Sequence, residues 1–220
     1  MQFPRSQNLT SVELDAHVAN GTFRLALVGM SNAGKSYRSK VLRDEMGFLW
    51  YHVDEEICKA VGFTSPEDLS PWLGYPTSPQ YPTNEKKYLE LENAFTRQAS
   101  MQTNGKNLVF DTTGSVVHLE PETIAALQED CLIVHLDVGE DSLQKMLDKF
   151  FKAPKPVCWS GNFSMHENES EDAALRRCYP ALLQKRLALY RTIAHLNIPA
   201  KKMRDMSGIE TLHIIKESLA

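Results

Sequence analysis

The stretch ALVGMSNAGKSY, residues Ala26–Tyr37, decides the fold. Its first half belongs to FRLALVG (Phe23–Gly29), a short apolar run stopped by glycine, which reads as a buried strand. Its second half is a loop of small residues that ends in Gly34-Lys35-Ser36. A helix is predicted to follow from about Gly34 to Met46, with Val41 and Leu42 facing inward. Gly29-x-x-x-x-Gly34-Lys35-Ser36 between a strand and a helix is a pattern that cradles phosphate. Glycines let the backbone curl so that several N–H groups converge on phosphate oxygens. The helix N-terminus adds its partial positive charge. Lys35 is placed to neutralise the β- and γ-phosphates, and the Ser36 hydroxyl to ligate magnesium. Gly29, Ser31, Asn32, Ala33, Gly34, Lys35, Ser36 and Tyr37 are therefore expected to surround a nucleoside triphosphate, ATP or GTP. The bland alternative is a chance glycine turn before a helix.

Outward from this loop, strands and helices alternate. FLWYHV (Phe48–Val53), NLVFD (Asn107–Asp111) and CLIVHLDV (Cys131–Val138) read as further strands, and Leu196–Pro199 as a short last one. Helices are predicted over Glu55–Val61, Asn84–Met101, Pro121–Glu129 and Glu140–Phe151. Another is expected from Pro180 to about His195, with the proline at its first position, and Ser207 is expected to cap a closing helix. The segment 62–84 is rich in proline (Pro66 through Pro82) and reads as loop or short helical pieces on the acceptor side. Lys152–Asp172 is polar and lacks periodicity, so it is expected to be a mobile lid, better ordered with nucleotide. Alternation of this kind means an α/β domain, a parallel sheet covered by helices on both faces. One domain is expected over 1–220.

Composition bounds the function. The 220 residues are 42% hydrophobic and 24% charged, ordinary for a globular chain. The net charge of −4 argues against nucleic acid as a partner. No apolar stretch is long enough to span a bilayer, and the N-terminus lacks a signal peptide's apolar core. The four cysteines, Cys58, Cys131, Cys158 and Cys178, have neither zinc-ligand nor disulfide-framework spacing. A cytoplasmic monomer with reduced thiols is expected.

Three further residues carry chemistry. Asp111 ends the NLVFD strand beside the loop, where a carboxylate can hold magnesium directly or through water; capping a turn is the alternative. Asp54, just past the second strand, shares the sheet edge with the loop and can act on a substrate hydroxyl as general base or positioning group; it can also cap the helix that follows. Arg186 falls on or beside the apolar stripe of Leu182, Leu183, Leu189 and Tyr190. A charge there needs an anionic partner, either a substrate carboxylate, a phosphate or an internal acid.

LALVGMSNAGKS, FLWYHVDEEICKAVG, the FDTTG turn and KRLALYRTIAHLNIPA together resemble the shikimate kinase family of small P-loop kinases, in the right order over most of the chain. The Val53–Ile57 segment and the Arg186-x-x-x-Tyr190 pair are the more discriminating parts. The resemblance implies a P-loop NTPase fold, a five-stranded parallel sheet in the order 2-3-1-4-5 with helices on both faces, a lid, and ATP-dependent phosphorylation of a small hydroxylated metabolite with Mg2+. It implies that Asp54 binds substrate hydroxyls, Arg186 the substrate carboxylate, and that the acceptor sits between Asp54, Gly114 and Arg186.

Departures cluster on the acceptor side. His52 stands where the family has a second aspartate. The family's Phe-Arg-x-x-Glu segment aligns with Tyr88-Leu89-Glu90-Leu91-Glu92, so Leu89 replaces an arginine, with Lys86 and Lys87 nearby. Its triple glycine is reduced to Gly114 in Gly114-Ser115-Val116. In the lid only Lys152, Lys155, Arg176 and Arg177 are candidates for gripping ATP. The expected partners are ATP/ADP and a small hydroxylated acid or polyol. The alternatives are a nucleotide-binding regulatory protein without kinase activity, or a kinase of another acceptor such as gluconate or a nucleoside. Trp72, Tyr75 and Tyr81 either line an acceptor pocket or pack a loop. His118, His135 and His213 read as ordinary surface or core residues.

Overall fold

The computed structural model describes residues 9–152 and 156–219. Five strands form one sheet: β1 (Arg24–Val28), β2 (Leu49–His52), β3 (Leu108–Asp111), β4 (Leu132–Asp137) and β5 (Leu196–Pro199). Their order is β2-β3-β1-β4-β5 and every pairing is parallel, as the sequence predicts. The strands read as unbroken apolar runs because both faces are covered.

Two cores result. On one face Leu25, Leu27, Val109, Leu132 and Val134 pack with Leu14 of α1 (Ser11–Ala19), Leu42 of α2 (Lys35–Met46) and Ile215 of α9 (Gly208–Glu217). On the other, Ala26, Val28, Leu108, Phe110 and Ile133 pack under α3 (Val53–Ala60), α4 (Leu69–Leu73), α5 (Tyr81–Thr96), α6 (Pro121–Asp130), α7 (Leu143–Lys152) and α8 (Glu171–Ile193). Alternation along each strand sends neighbouring side chains to opposite cores. Arg38 bolts the first face together: its guanidinium donates to the carbonyls of Met203 and Met206, and to Thr211 Oγ1 at 2.8 Å.

Several boundaries differ from the sequence reading. The helix α1 was not predicted; Thr10 and Glu13 start it with a reciprocal capping box. Asp54 is not a cap, because α3 begins at Val53 with His52 as N-cap, and Asp54 lies in the first turn with Glu55 and Glu56. There its charge suits the helix dipole. The helix α5 starts at Tyr81, directly out of the proline-rich segment, with Pro82 in its first turn. Pro180 does not start a helix. The last long helix begins nine residues earlier, at Glu171, where Ser170 Oγ caps the Ala173 N–H, and Pro180 sits inside it. The clearest difference is in the polar 152–172 segment. Val157, Cys158 and Trp159 are 6%, 1% and 2% exposed and belong to the core, although their flanks are polar. All four cysteines are buried free thiols.

Candidate active site

The carboxyl ends of β1, β2 and β3 form one edge. Register places Asp111 beside both Leu27 and His52, so the loop that follows β1 opens directly over that carboxylate. Gly29 has φ 143° and Gly34 φ 100°, values that β-carbon-bearing residues rarely adopt. Asn32, at φ 65°, completes the curl. This conformation delivers Lys35 and Ser36 at the start of α2.

Lys35 is 7% exposed, not solvent-facing. Its Nζ donates to the carbonyls of Gly29 (2.8 Å) and Met30 (3.1 Å) across the loop. Burial pulls its pKa down, and Asp111 and Asp54 partly restore it. Asp111 is the converse: burial raises its carboxyl, opposed by Lys35, His52 and Ser36. It is 1% exposed, and neither of its oxygens has a hydrogen bond of proper geometry among the described residues; Ser36 is near without completing one. His52 Nε2 lies 3.6 Å from Oδ2.

A buried carboxylate with both oxygens unpartnered suits a hard cation. Among the described residues no group of three or more His, Cys, Asp or Glu side chains makes a closed metal cage. Asp111 and Ser36 instead offer a pair of protein oxygens, which fits Mg2+ held largely by phosphate and water.

A cleft of about 400 Å³ spans this edge, lined by Ser31, Asn32, Gly34, Lys35, Ser36 and Tyr37 of the loop, and by His52, Asp54, Thr112 and Gly114 opposite. A second cleft of about 380 Å³ shares Asn32, Gly34 and Tyr37 with it and adds Ala33, Leu136, Val138, Ala200 and Arg204. The first is lined mostly by polar and charged groups; the second has mixed apolar and polar walls.

Asp54 points into the first cleft, and Tyr88 Oη donates to its Oδ1 at 2.7 Å. Tyr88 is 2% exposed, and burial first, then Asp54 and Glu92, push its phenol far up, so it stays a donor. In the sequence Tyr88 stands at the phenylalanine of the Phe-Arg-x-x-Glu segment, which gives no sign of this contact. Glu92 lies four residues on, fully buried, with its carboxyl accepting from Thr113 Oγ1 and from Ser115 Oγ (2.6 Å). It therefore fixes the turn that presents Gly114, whose carbonyl also accepts from Tyr190 Oη. A carboxylate on the buried stripe of α5 was the available signal.

Burial pushes Glu92 up from 4.5 to about 7, against the pull of Ser115, Thr113 and Arg186. A raised acid binds its proton more tightly folded than unfolded. Its contribution to stability is therefore full below pH 4.5 and is lost as pH rises toward 7 and beyond. We expect the melting temperature to fall between pH 5 and pH 8, and Glu92→Gln to flatten that fall. An equal fall in the variant, followed by calorimetry, removes Glu92 as its source.

Arg186 is 5% exposed in α8. It does not line the main cleft but a narrow crevice with Met30, Ser31 and Asn32. Its terminal nitrogen lies near Gly114; a β-carbon there would come within 3.7 Å of it and 3.1 Å of Ser31 Oγ, so glycine keeps the approach open. Its Nε donates to His118 Nε2 (3.1 Å) and its other nitrogen to the Cys158 carbonyl (2.6 Å). Burial, with Arg186 next, drops His118 to about 4, so that imidazole is neutral at Arg186. His118 is thus no ordinary surface or core histidine.

Among the described residues the lid cations named from the sequence are not gathered at the cleft. Arg176 pairs with Asp172 and lies over the Phe151 ring, and Arg177 pairs with Glu169. Lys155 lies outside the described residues, and Lys152 is exposed at the end of α7. Lys149, one turn earlier and missed in the sequence, lines the cleft facing the loop.

Known structures share this fold. The shikimate kinase from Acinetobacter baumannii in complex with shikimate matches with a TM-score of 0.62 and 20% identity, over 92% of this chain and 94% of that one. The chain has the shikimate kinase-like P-loop fold. Shikimate kinase from Bacteroides thetaiotaomicron matches with a TM-score of 0.60 at 18% identity, over 89% and 97% of the two chains. That from Aquifex aeolicus matches with a TM-score of 0.57 at 19% identity, over 90% and 96%. No family model and no curated protein sequence matches the chain. Among the described residues no helix is long and apolar enough to cross a membrane.

Proposed function

We propose that the protein is an ATP-dependent phosphotransferase acting on a hydroxyl of a small metabolite. The observation that carries this reading is the gathering of Lys35, Ser36, Asp111 and Asp54 around one edge of the sheet, three of them lining a single cleft. The triphosphate occupies the loop, with its nucleoside in the adjoining cleft beside Leu136 and Arg204. Lys35 exchanges the Gly29 and Met30 carbonyls for phosphate oxygens. Tyr88 holds Asp54 Oδ1, leaving Oδ2 to take the acceptor's hydroxyl proton as its oxygen bonds to the γ-phosphorus and ADP leaves. Mg2+, held at Asp111 and Ser36, supplies neutralisation of phosphate charge. Catalysis here rests on positioning and charge, not on covalent chemistry by the protein.

The test is ADP release in the presence of a panel of hydroxy acids, polyols and nucleosides. Acceptor-stimulated release is expected. Tight ATP binding with no stimulation by any acceptor would favour the second reading, a nucleotide-binding regulatory protein. The observation behind that reading is that a backbone carbonyl, Cys158, already occupies Arg186.

Shikimate itself is expected to be a poor acceptor. Leu89 packs against the core, and Lys86 pairs with the exposed Glu90 at 3.8 Å, so neither offers a bidentate fork to a carboxylate. Loss of a buried charge-assisted contact costs about 2–5 kcal/mol, or roughly 30-fold and more in affinity. Efficient turnover with a micromolar KM for shikimate contradicts this reading of Leu89.

A further inference from the structure

Arg186 is a buried cation whose hydrogen bonds go to neutral groups, the His118 ring and the Cys158 carbonyl, while Glu92, which feels its charge, bonds to Thr113 and Ser115 instead. Dipoles compensate a buried charge less well than an anion does. An oxyanion brings a full opposite charge that a carbonyl dipole lacks, and an Arg fork accommodates a carboxylate better than a single carbonyl. The carbonyl at Arg186 is therefore replaceable.

The segment that supplies it is anchored in detail. Tyr81 Oη donates to Glu85 Oε1 (2.5 Å), accepts from the Trp159 N–H (2.8 Å) and lies 3.1 Å from the Val157 carbonyl. Ser160 N–H donates to Glu85 Oε1 at 2.9 Å, and Asn162 Nδ2 to the Trp159 carbonyl at 2.7 Å. The Trp159 ring packs edge-on to Phe163 and tilted against Tyr179, with centroids 5.3 and 5.8 Å away. Burial raises the Cys158 thiol, which feels Glu92, Arg186 and Ser115, so this side chain shares the enclosed space between α5, the Gly114 turn and α8. That space adjoins Asp54 through Tyr88.

We propose that Val157–Ser160 is a built-in occupant of the acceptor side of the cleft, its Cys158 carbonyl holding Arg186 until a small anionic acceptor takes its place. This rests on the phosphotransferase reading of that side. The segment thereby sets specificity. An acceptor with an oxyanion gains the stronger bond to Arg186 and displaces the carbonyl; a neutral polyol gains no such bond and leaves the segment seated. Apparent affinity is the intrinsic affinity reduced by the fraction of molecules in which the segment is released. Weakening the anchor raises that fraction and tightens binding, up to the full intrinsic value.

The anchor, unlike the cleft, contains Tyr81 and Glu85, and neither lines the nucleotide site. The experiment uses the full chain, as wild type, Tyr81→Phe, and Tyr81→Phe with Glu85→Ala. Hydrogen exchange at the Trp159 and Ser160 amides reports release, and calorimetric titration with shikimate, as probe anion, reports affinity. Removal of the anchor bonds is expected to speed exchange at both amides and to tighten shikimate binding about tenfold, with ATP affinity unchanged within twofold. Shikimate added to the wild type should deprotect the same amides. The proposal is overturned if the released variants, shown open by exchange, gain no shikimate affinity, or if shikimate binds the wild type while both amides stay protected. The phosphotransferase reading fails separately, when no acceptor stimulates ADP release in any of the three proteins.

Discussion

Lys35→Ala is expected to lower phosphoryl transfer by roughly 100- to 1000-fold, the usual loss when one preorganised charge donor is taken from a developing oxyanion. The fold should survive. Lys35 is buried, and its ammonium carries a desolvation cost that Asp111, Asp54 and Glu92 partly offset, so truncation relieves that cost. Its present partners, the carbonyls of Gly29 and Met30, each lose one hydrogen bond, a cost set against the relieved desolvation of the ammonium. ADP release at saturating ATP and acceptor measures the first effect, and thermal unfolding the second. A variant that transfers phosphate at the wild-type rate would remove the loop from the reaction. One that unfolds would make Lys35 a structural residue.

Asp111→Asn is expected to move stability and activity in opposite directions. Burial raises the Asp111 carboxyl above its ordinary value, so the ionised form is a net cost to the folded protein at neutral pH. That cost is present wherever the carboxyl ionises and disappears on acidification. Asparagine removes it at every pH, so the metal-free variant should melt higher than the wild type. The same change removes the oxygen pair suited to a divalent cation. The wild type should gain thermal stability on addition of Mg2+ and nucleotide, and the variant much less. Turnover in the variant should fall by at least a hundredfold. A lower melting point without Mg2+ would mean that the interactions with Lys35 and His52 outweigh desolvation, contrary to the direction read here.

What was legible in the sequence follows from where the physics is local. Strand and loop around Gly29–Ser36 are specified by adjacent residues: an apolar run, glycines at positive φ and a helix start. The parallel order came through resemblance, and the sheet has it. Chemistry that depends on residues far apart was less visible. Tyr88 looked apolar because its ring is buried, while its hydroxyl reaches Asp54, 34 positions away. Glu92 gave a signal, a carboxylate on a buried face, whose partners Thr113 and Ser115 lie in another turn. Pro180 was read by its preference for helix starts, but Ser170 offered a better cap and the apolar stripe through Leu175 and Cys178 carried the helix back to it. Val157–Trp159 escaped because three buried residues within a polar segment have no period to detect.

The Arg38 bolt has a consequence for how the molecule is made. Arg38 lies in the first turn of the helix that carries Lys35 and Ser36, so it leaves the ribosome early, while Met203, Met206 and Thr211 lie 165 to 173 positions later. Loop closure over such a distance comes late in folding. Until then the guanidinium has none of these acceptors, and the face of the sheet behind α2 lacks Ile215 of α9. A nascent chain can thus form its phosphate loop as sequence long before it holds that loop as structure. A stretch translated 165 to 173 positions later completes the wall on which that loop rests.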